Sequence, residues 1–354
     1  MTQTGTRRHD SAAPMRYSLF SVQDHHPNLP RTVPQLYQEV MQQCIEAERL
    51  GFDTAFIAEH HFHEYGAVPN PAVYLAALAQ RTTRLRLGPA IVVLPFRHPL
   101  EVAESYAMLD VLSNGRLTLG VGSGYLKHEF QGWGVPGEEK RERFDESLVL
   151  LKRALAGERI THHGRFFVCN EAALNVLPLQ RPVPIYCAVL RREAARWIGR
   201  QGNNLMAMPY AACDNLGQVG AIVEEYQAGW RESGAAARGG MLFGFHAHVA
   251  DTDAECRRVA EIPFNLYVDT RLYAKRQTYD DILRSGLGLF GSVARVVDKL
   301  IQLSEMGVDH VLFLQDFGAM PLADVLRSMR LMAEEVMPRV NRAIRGKQGL
   351  PQTA

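Results

Sequence analysis

The chain has 354 residues, enough for two domains or one large barrel, and 47% of them are hydrophobic, which excludes a mainly disordered protein. Lys and Arg total 39 against 38 for Asp and Glu, and a formal charge of +1 offers no electrostatic case for a nucleic-acid partner. No apolar run approaches the roughly 20 residues of a membrane span, and MTQTGTRRHDSAAP lacks the apolar stretch of a secretory signal. Five scattered cysteines (Cys44, Cys169, Cys187, Cys213, Cys256) with no CxxC read as reduced, mostly buried thiols of a cytoplasmic protein.

In chain order, short apolar runs predict eight strands: Tyr17–Gln23, Thr54–Glu59, Leu85–Leu94, Arg116–Gly122, Pro184–Val189, Asn204–Met208, Met241–Val249 and His310–Gln315. Their lack of polar alternation suits parallel strands buried on both faces. Helix signals lie between them. Thr32 stands three residues before Gln35, a capping-box spacing with Pro34 in the first turn, and Leu36, Val40, Cys44 and Ala47 recur on one face until Gly51. Asn70 before Pro71 and His98 before Pro99 open two more helices, the second ending near Gly115. Eight strand–helix alternations predict a (β/α)8 TIM barrel, whereas a doubly wound sheet usually has fewer strands. A single domain over 15–346 is expected, with 1–14 and 347–354 as disordered tails. The segment Pro263–Gly288 is an insertion between the seventh and eighth strands, read either as an active-site lid or as an extra surface helix.

Barrel sites lie at the C-terminal strand ends. The second strand ends in Glu59, His60, His61, Phe62, His63, Glu64 and Tyr65, the most polar strand end in the chain. One reading is a metal site, because the HxH pair His61 and His63 points one way in an extended segment, with His246, His248 and Asp316 as later ligands. Another is a single catalytic histidine supported by a neighbouring carboxylate. The simplest is that some of these imidazoles only satisfy buried backbone groups. The fourth strand ends in Gly120-Val121-Gly122-Ser123-Gly124-Tyr125, where glycines let a flat ligand or phosphate approach the backbone, although the spacing misses a dinucleotide fingerprint and no helix is expected directly after it. After the fifth strand, Arg191 and Arg192 flank a helix N-terminus, either as a phosphate seat or as a solvated first turn. Ser292 is expected to cap the helix that runs to Leu303.

Three strings, GFDTAFIAEHHFHEYG, LRLGPAIVVLPFRHPLEVAESYAMLDVLSNGRLTLGVGSGYLKHEFQGWG and GVDHVLFLQDFG, resemble the bacterial luciferase-like flavin-dependent monooxygenases, over roughly Tyr17 to Arg339. The resemblance implies a (β/α)8 barrel that binds reduced FMN, or in one branch a deazaflavin coenzyme, at its C-terminal mouth. It implies a functional His60 with Glu59 beside it, and a non-proline cis peptide at Ala90–Ile91 against which the flavin ring packs. It further implies cofactor contacts from Ser123, Gly124, Tyr125, Ala188, Leu190 and Arg191. Leu190 and Arg191 stand where luciferase-like chains have an acid and a serine, and Ser123 stands where luciferase carries an arginine. An exchange is therefore expected, with Arg191 supplying the phosphate charge. The activity implied is oxygenation of a small organic substrate (an aldehyde, ketone, amine or natural-product-like molecule) through a flavin C(4a)-peroxide, with His60 as acid or base. The expected partners are a separate NAD(P)H:flavin reductase and a second copy of the chain in a homodimer. The alternatives are deazaflavin-dependent hydride transfer on the same barrel, a non-catalytic flavin-binding partner subunit and, last, a metal hydrolase.

Overall fold

The computed structural model of the protein describes residues 14–235, 239–270 and 276–347; the expected tails at 1–13 and 348–354 lie outside them. All eight predicted strands form: β1 (Arg16–Ser21), β2 (Thr54–Ile57), β3 in two pieces (Arg86–Pro89 and Val92–Val93), β4 (Leu119–Gly122), β5 (Ile185–Val189), β6 (Asn204–Ala207), β7 (Met241–Ala250) and β8 (His310–Leu314). Each pairs in parallel with its sequence neighbours, and β8 returns to β1, so that Leu19 lies beside Ala55 on one side and Phe313 on the other. The ring closes where Val92 pairs with Val121 and Leu87 bridges to Leu117. Closure brings backbones so near that a Cβ on Gly88 would stand 2.1 Å from the Thr118 carbonyl oxygen, so this position admits only glycine without a shift.

The helices begin largely where their caps foretell. Thr32 closes a full capping box on α1 (Val33–Arg49), Asn70 caps α2 (Pro71–Ala79) and His98 caps α3 (Pro99–Leu112). They are followed by α4 (Lys127–Trp133), α5 (Lys140–Leu155), α6 (Arg192–Arg200), α7 (Pro209–Ala212), α8 (Gly217–Glu232), α9 (Asp253–Thr270), α10 (Tyr279–Ser285), α11 (Val293–Glu305), α12 (Leu322–Leu331) and α13 (Met337–Lys347). No helix among the described residues is long and apolar enough to cross a membrane, and all five cysteines are free and buried.

Four expectations need correction. A helix does follow the glycine-rich end of β4, because α4 opens at Lys127, within a turn of Tyr125. The insertion is not one extra surface helix but the second half of α9 plus α10, amphipathic pieces that turn Phe264, Tyr267 and Tyr279 into the core while Asp280 and Arg284 stay exposed; residues 271–275 lie outside the described ones. Ser292 occupies the N-cap of α11 without a side-chain capping bond, since Leu289–Ser292 is a short extra strand beside the end of β7. Lys347, expected in a tail, is helical and pairs with Glu305. An antiparallel hairpin, Ile160–His163 with Val168–Ala172, had no counterpart among the predicted strands.

Candidate active site

The C-terminal ends of β2 to β6 surround one cleft of about 480 Å³. Its lining includes every residue that the family resemblance assigns to catalysis or cofactor contact: Glu59 and His60, Ala90 and Ile91, Ser123, Gly124 and Tyr125, then Ala188, Leu190 and Arg191. The expected Ala90–Ile91 peptide is cis and divides the two pieces of β3. Gly124 has φ +72°, and a Cβ there would press within 2.8 Å of Val93 Cγ1, which accounts for glycine at this wall.

The polar strand end of β2 resolves into two histidine–carboxylate pairs. His60 Nδ1 lies 3.0 Å from Glu129 Oε1, and the same oxygen accepts the His61 backbone N–H at 2.9 Å. His61 Nε2 lies 3.0 Å from Glu59 Oε1, which also has Arg97 Nε at 3.6 Å. Glu59, expected beside His60, thus spends its carboxylate on His61. The His61 ring sits among Phe62, Phe96 and Trp133. The His60 ring packs on Tyr65 and Tyr125 with centroids 4.7 and 6.4 Å away. His63 Nδ1 accepts from the Tyr65 N–H, so its ring closes a turn.

Among the described residues no group of three His, Cys, Asp or Glu side chains is placed to hold a metal ion. His246 and His248 lie in mid-strand on β7; His246 packs against Tyr210 and Tyr267, and burial lowers the His248 pKa to about 4.

One rim of the cleft is cationic. Arg191 lines it at the N-cap of α6 and forms no ion pair among the described residues, whereas Arg192 turns away to Glu225 on α8 at 3.1 Å. Lys140 and Arg141 from α5 join this rim, and the Arg141 guanidinium stacks on Trp197 with 3.9 Å to the ring centroid. The lining also includes Phe20, Val22, Met206, Met208 and Tyr210, which make much of it apolar. Sequence reasoning missed Glu129, Lys140, Arg141, Tyr65 and these apolar residues. For Glu129 a signal existed, because it is the first acid after the end of β4. For Lys140 and Arg141 nothing local marks them, since α5 meets the cleft only through tertiary packing, whereas Tyr65 ends the polar run after β2.

The mouth of the (β/α)8 barrel thus combines a partly apolar cleft, a histidine–carboxylate pair and a cationic rim. Residues 15–310 match the luciferase-like monooxygenase family, and the chain belongs to it. It is 27% identical to the oxygenase component of a flavin-dependent trigonelline monooxygenase from Acinetobacter baylyi, over 92% of this chain and 95% of that one. It is 33% identical to an F420-dependent glucose-6-phosphate dehydrogenase from Intrasporangium calvum, over 48% of this chain and 53% of that one. The crystal structure of the monooxygenase RslO1 from Streptomyces bottropensis superposes with a TM-score of 0.85 at 28% identity, covering 92% of this chain and 99% of that one. The oxidoreductase class follows, with relatives that use a flavin and relatives that use the deazaflavin F420.

Proposed function

We propose that this chain is the oxygenating component of a two-component flavin monooxygenase, which takes reduced FMN from a separate reductase and uses O2 to oxygenate a small, largely apolar organic substrate. The observation that carries this reading is the cleft itself. An apolar slot beside Ala90 and Ile91 suits a flat ring system, and the rim of Arg191, Lys140 and Arg141 suits one compact phosphate. The donor set therefore fits FMN. Reduced FMN, when bound, would supply the electrons that activate O2.

The chain's own residues do the rest. Arg191 offers a charged fork to a phosphate. The walls formed by Ala90, Ile91 and Val93 exclude water. His60, facing the cleft, holds or accepts a proton at the reacting end. Phe20, Val22, Met206 and Met208 give the substrate an apolar bed. The name of the trigonelline relative, an oxygenase component, supports the separate reductase.

A deazaflavin hydride-transfer enzyme is the second reading, favoured by the likeness of half the chain to the F420-dependent dehydrogenase. FMN and F420 added separately, each followed by quenching of the fluorescence of Trp133, Trp197 and Trp230, decide between them. Quenching by FMN, with oxygenated product formed from a substrate when reductase-generated FMNH2 and O2 are supplied, is the expected result. Quenching by F420 alone would overturn it.

A further inference from the structure

Glu129 Oε1 sits between two nitrogens, 2.9 Å from the His61 backbone N and 3.0 Å from His60 Nδ1. A backbone N–H can only donate, so this oxygen is an acceptor, and a carboxylate oxygen accepts a second donor as readily. Nδ1 of His60 therefore carries the hydrogen. A neutral imidazole has one N–H, which leaves the lone pair on Nε2.

Three further contacts fix the ring. The His60 backbone N–H donates to the Val68 carbonyl at 3.2 Å, and Tyr65 and Tyr125 brace the ring from two sides. A Cβ on Gly66 would stand 2.7 Å from His60 Cβ, so the glycine makes room for the histidine. The side chain of Glu129 is only 2% exposed, and it reaches this place from α4, whose backbone follows the β4 end that also supplies Ser123–Tyr125. Among the described residues Nε2 of His60 has no protein partner, and His60 lines the cleft.

We infer that Glu129 is the positioning residue of this site: it holds His60 as the Nδ1–H tautomer and so presents Nε2 to the cleft as a proton acceptor. The catalytic use of that acceptor rests on the function proposed above, but the tautomer does not. The proton that Nε2 takes comes from the bound ligand, which needs an O–H or N–H at that end, and the carboxylate behind the ring stabilises the imidazolium so formed. Glu59 cannot substitute, because its oxygen is engaged by His61 Nε2, on a ring outside the cleft lining.

The test reads the tautomer in the apoprotein. Two-bond 1H–15N correlation spectra of imidazole-labelled protein should show His60 with Nδ1 protonated and Nε2 bare. Glu129→Ala should move His60 to the Nε2–H form, and Glu59→Gln should perturb His61 while leaving the His60 pattern alone. In turnover assays with FMNH2, Glu129→Ala should lower kcat roughly 10²-fold with the FMN Kd unchanged, since an acid–base group is worth about 10²–10⁴. Should the alanine variant not fold, Glu129→Gln keeps an acceptor oxygen, so it should fold, keep the Nδ1–H form and still lose turnover for want of the negative charge. A wild-type spectrum with Nε2 protonated, or an alanine variant that keeps the Nδ1–H form, would overturn the inference. If FMN fails to bind while the tautomer pattern holds, the proposed function falls and the Glu129–His60 pair stands.

Discussion

His60 and His61 are adjacent and chemically identical, yet the chain puts them to different uses. Past the end of β2 the two rings diverge, one into the cleft lining and the other into an aromatic layer. His60→Ala should keep FMN binding and lose roughly 10²–10⁴-fold in kcat, the worth of one acid–base group. His61→Ala and His63→Ala should cost less in kcat, and steady-state assays of the three variants rank them. Equal losses in all three, restored by an added divalent metal, would instead revive the metal site. Arg191 and Arg192 form a similar pair. Arg191→Ala should weaken FMN binding by about 1.5–3 kcal/mol, the range for a hydrogen bond to a charged group, and weaken riboflavin much less. Arg192→Ala, whose partner is Glu225, should affect the two ligands alike. Titration of both ligands against both variants reads the difference, and selective loss of FMN in the Arg192 variant would move the phosphate seat by one residue.

The break in β3 and the turn into α4 are the two local features that make the cleft. β3 stops at Pro89 and resumes at Val92, and Ala90 and Ile91 between the two pieces line the cleft. The Gly88 backbone meets Thr118 in the same region. Gly88→Ala should therefore destabilise the barrel by about 1–3 kcal/mol or more, because the clash is with a carbonyl that cannot swing aside. Thermal melts of the variant, with its FMN affinity measured below the transition, separate lost stability from a lost wall. A melt unchanged from wild type would show that the seam between β3 and β4 gives way more easily than its geometry indicates. The turn after β4 carries Ser123–Tyr125 and then Glu129, so one short stretch supplies both the cleft wall and the partner of His60.

The buried ionisable groups give the whole protein a pH signature with opposing contributions. Burial raises the Asp316 pKa to about 6, above its unfolded value near 4. Over that window the folded state binds more protons than the unfolded one, so this group's contribution falls as pH rises. Burial lowers His248 to about 4 and holds His310 well below its ordinary value. Between about pH 4 and 6.5 the unfolded state binds more protons at these two histidines, so their contributions grow as pH rises. Each group contributes at most about 1.4 kcal/mol per pH unit, and two outweigh one. Melting temperature should thus climb from pH 4 to 6, and Asp316→Asn should steepen the climb by removing the opposing group. A slope that does not change in Asp316→Asn would mean that Asp316 titrates normally in the folded protein.

The eight strands, their parallel setting and the first three helix caps were legible in the sequence, because buried apolar runs and capping boxes are local patterns dictated by backbone hydrogen bonding and side-chain burial. The ten candidate residues line one cleft; Glu59, His60, Ser123, Gly124, Tyr125, Leu190 and Arg191 stood out at strand ends, whereas Ala90, Ile91 and Ala188 came from the family resemblance. Tertiary structure decided the rest. Which carboxylate serves which histidine depends on Glu129 reaching back across 69 positions from a helix that local signals did not announce. The inward turn of Phe264 and Tyr267, in a segment whose charges suggested the surface, follows from a helix face buried only once the barrel exists. Lys140 and Arg141 become part of the rim because α5 packs there, a distance relation that no spacing in the chain encodes.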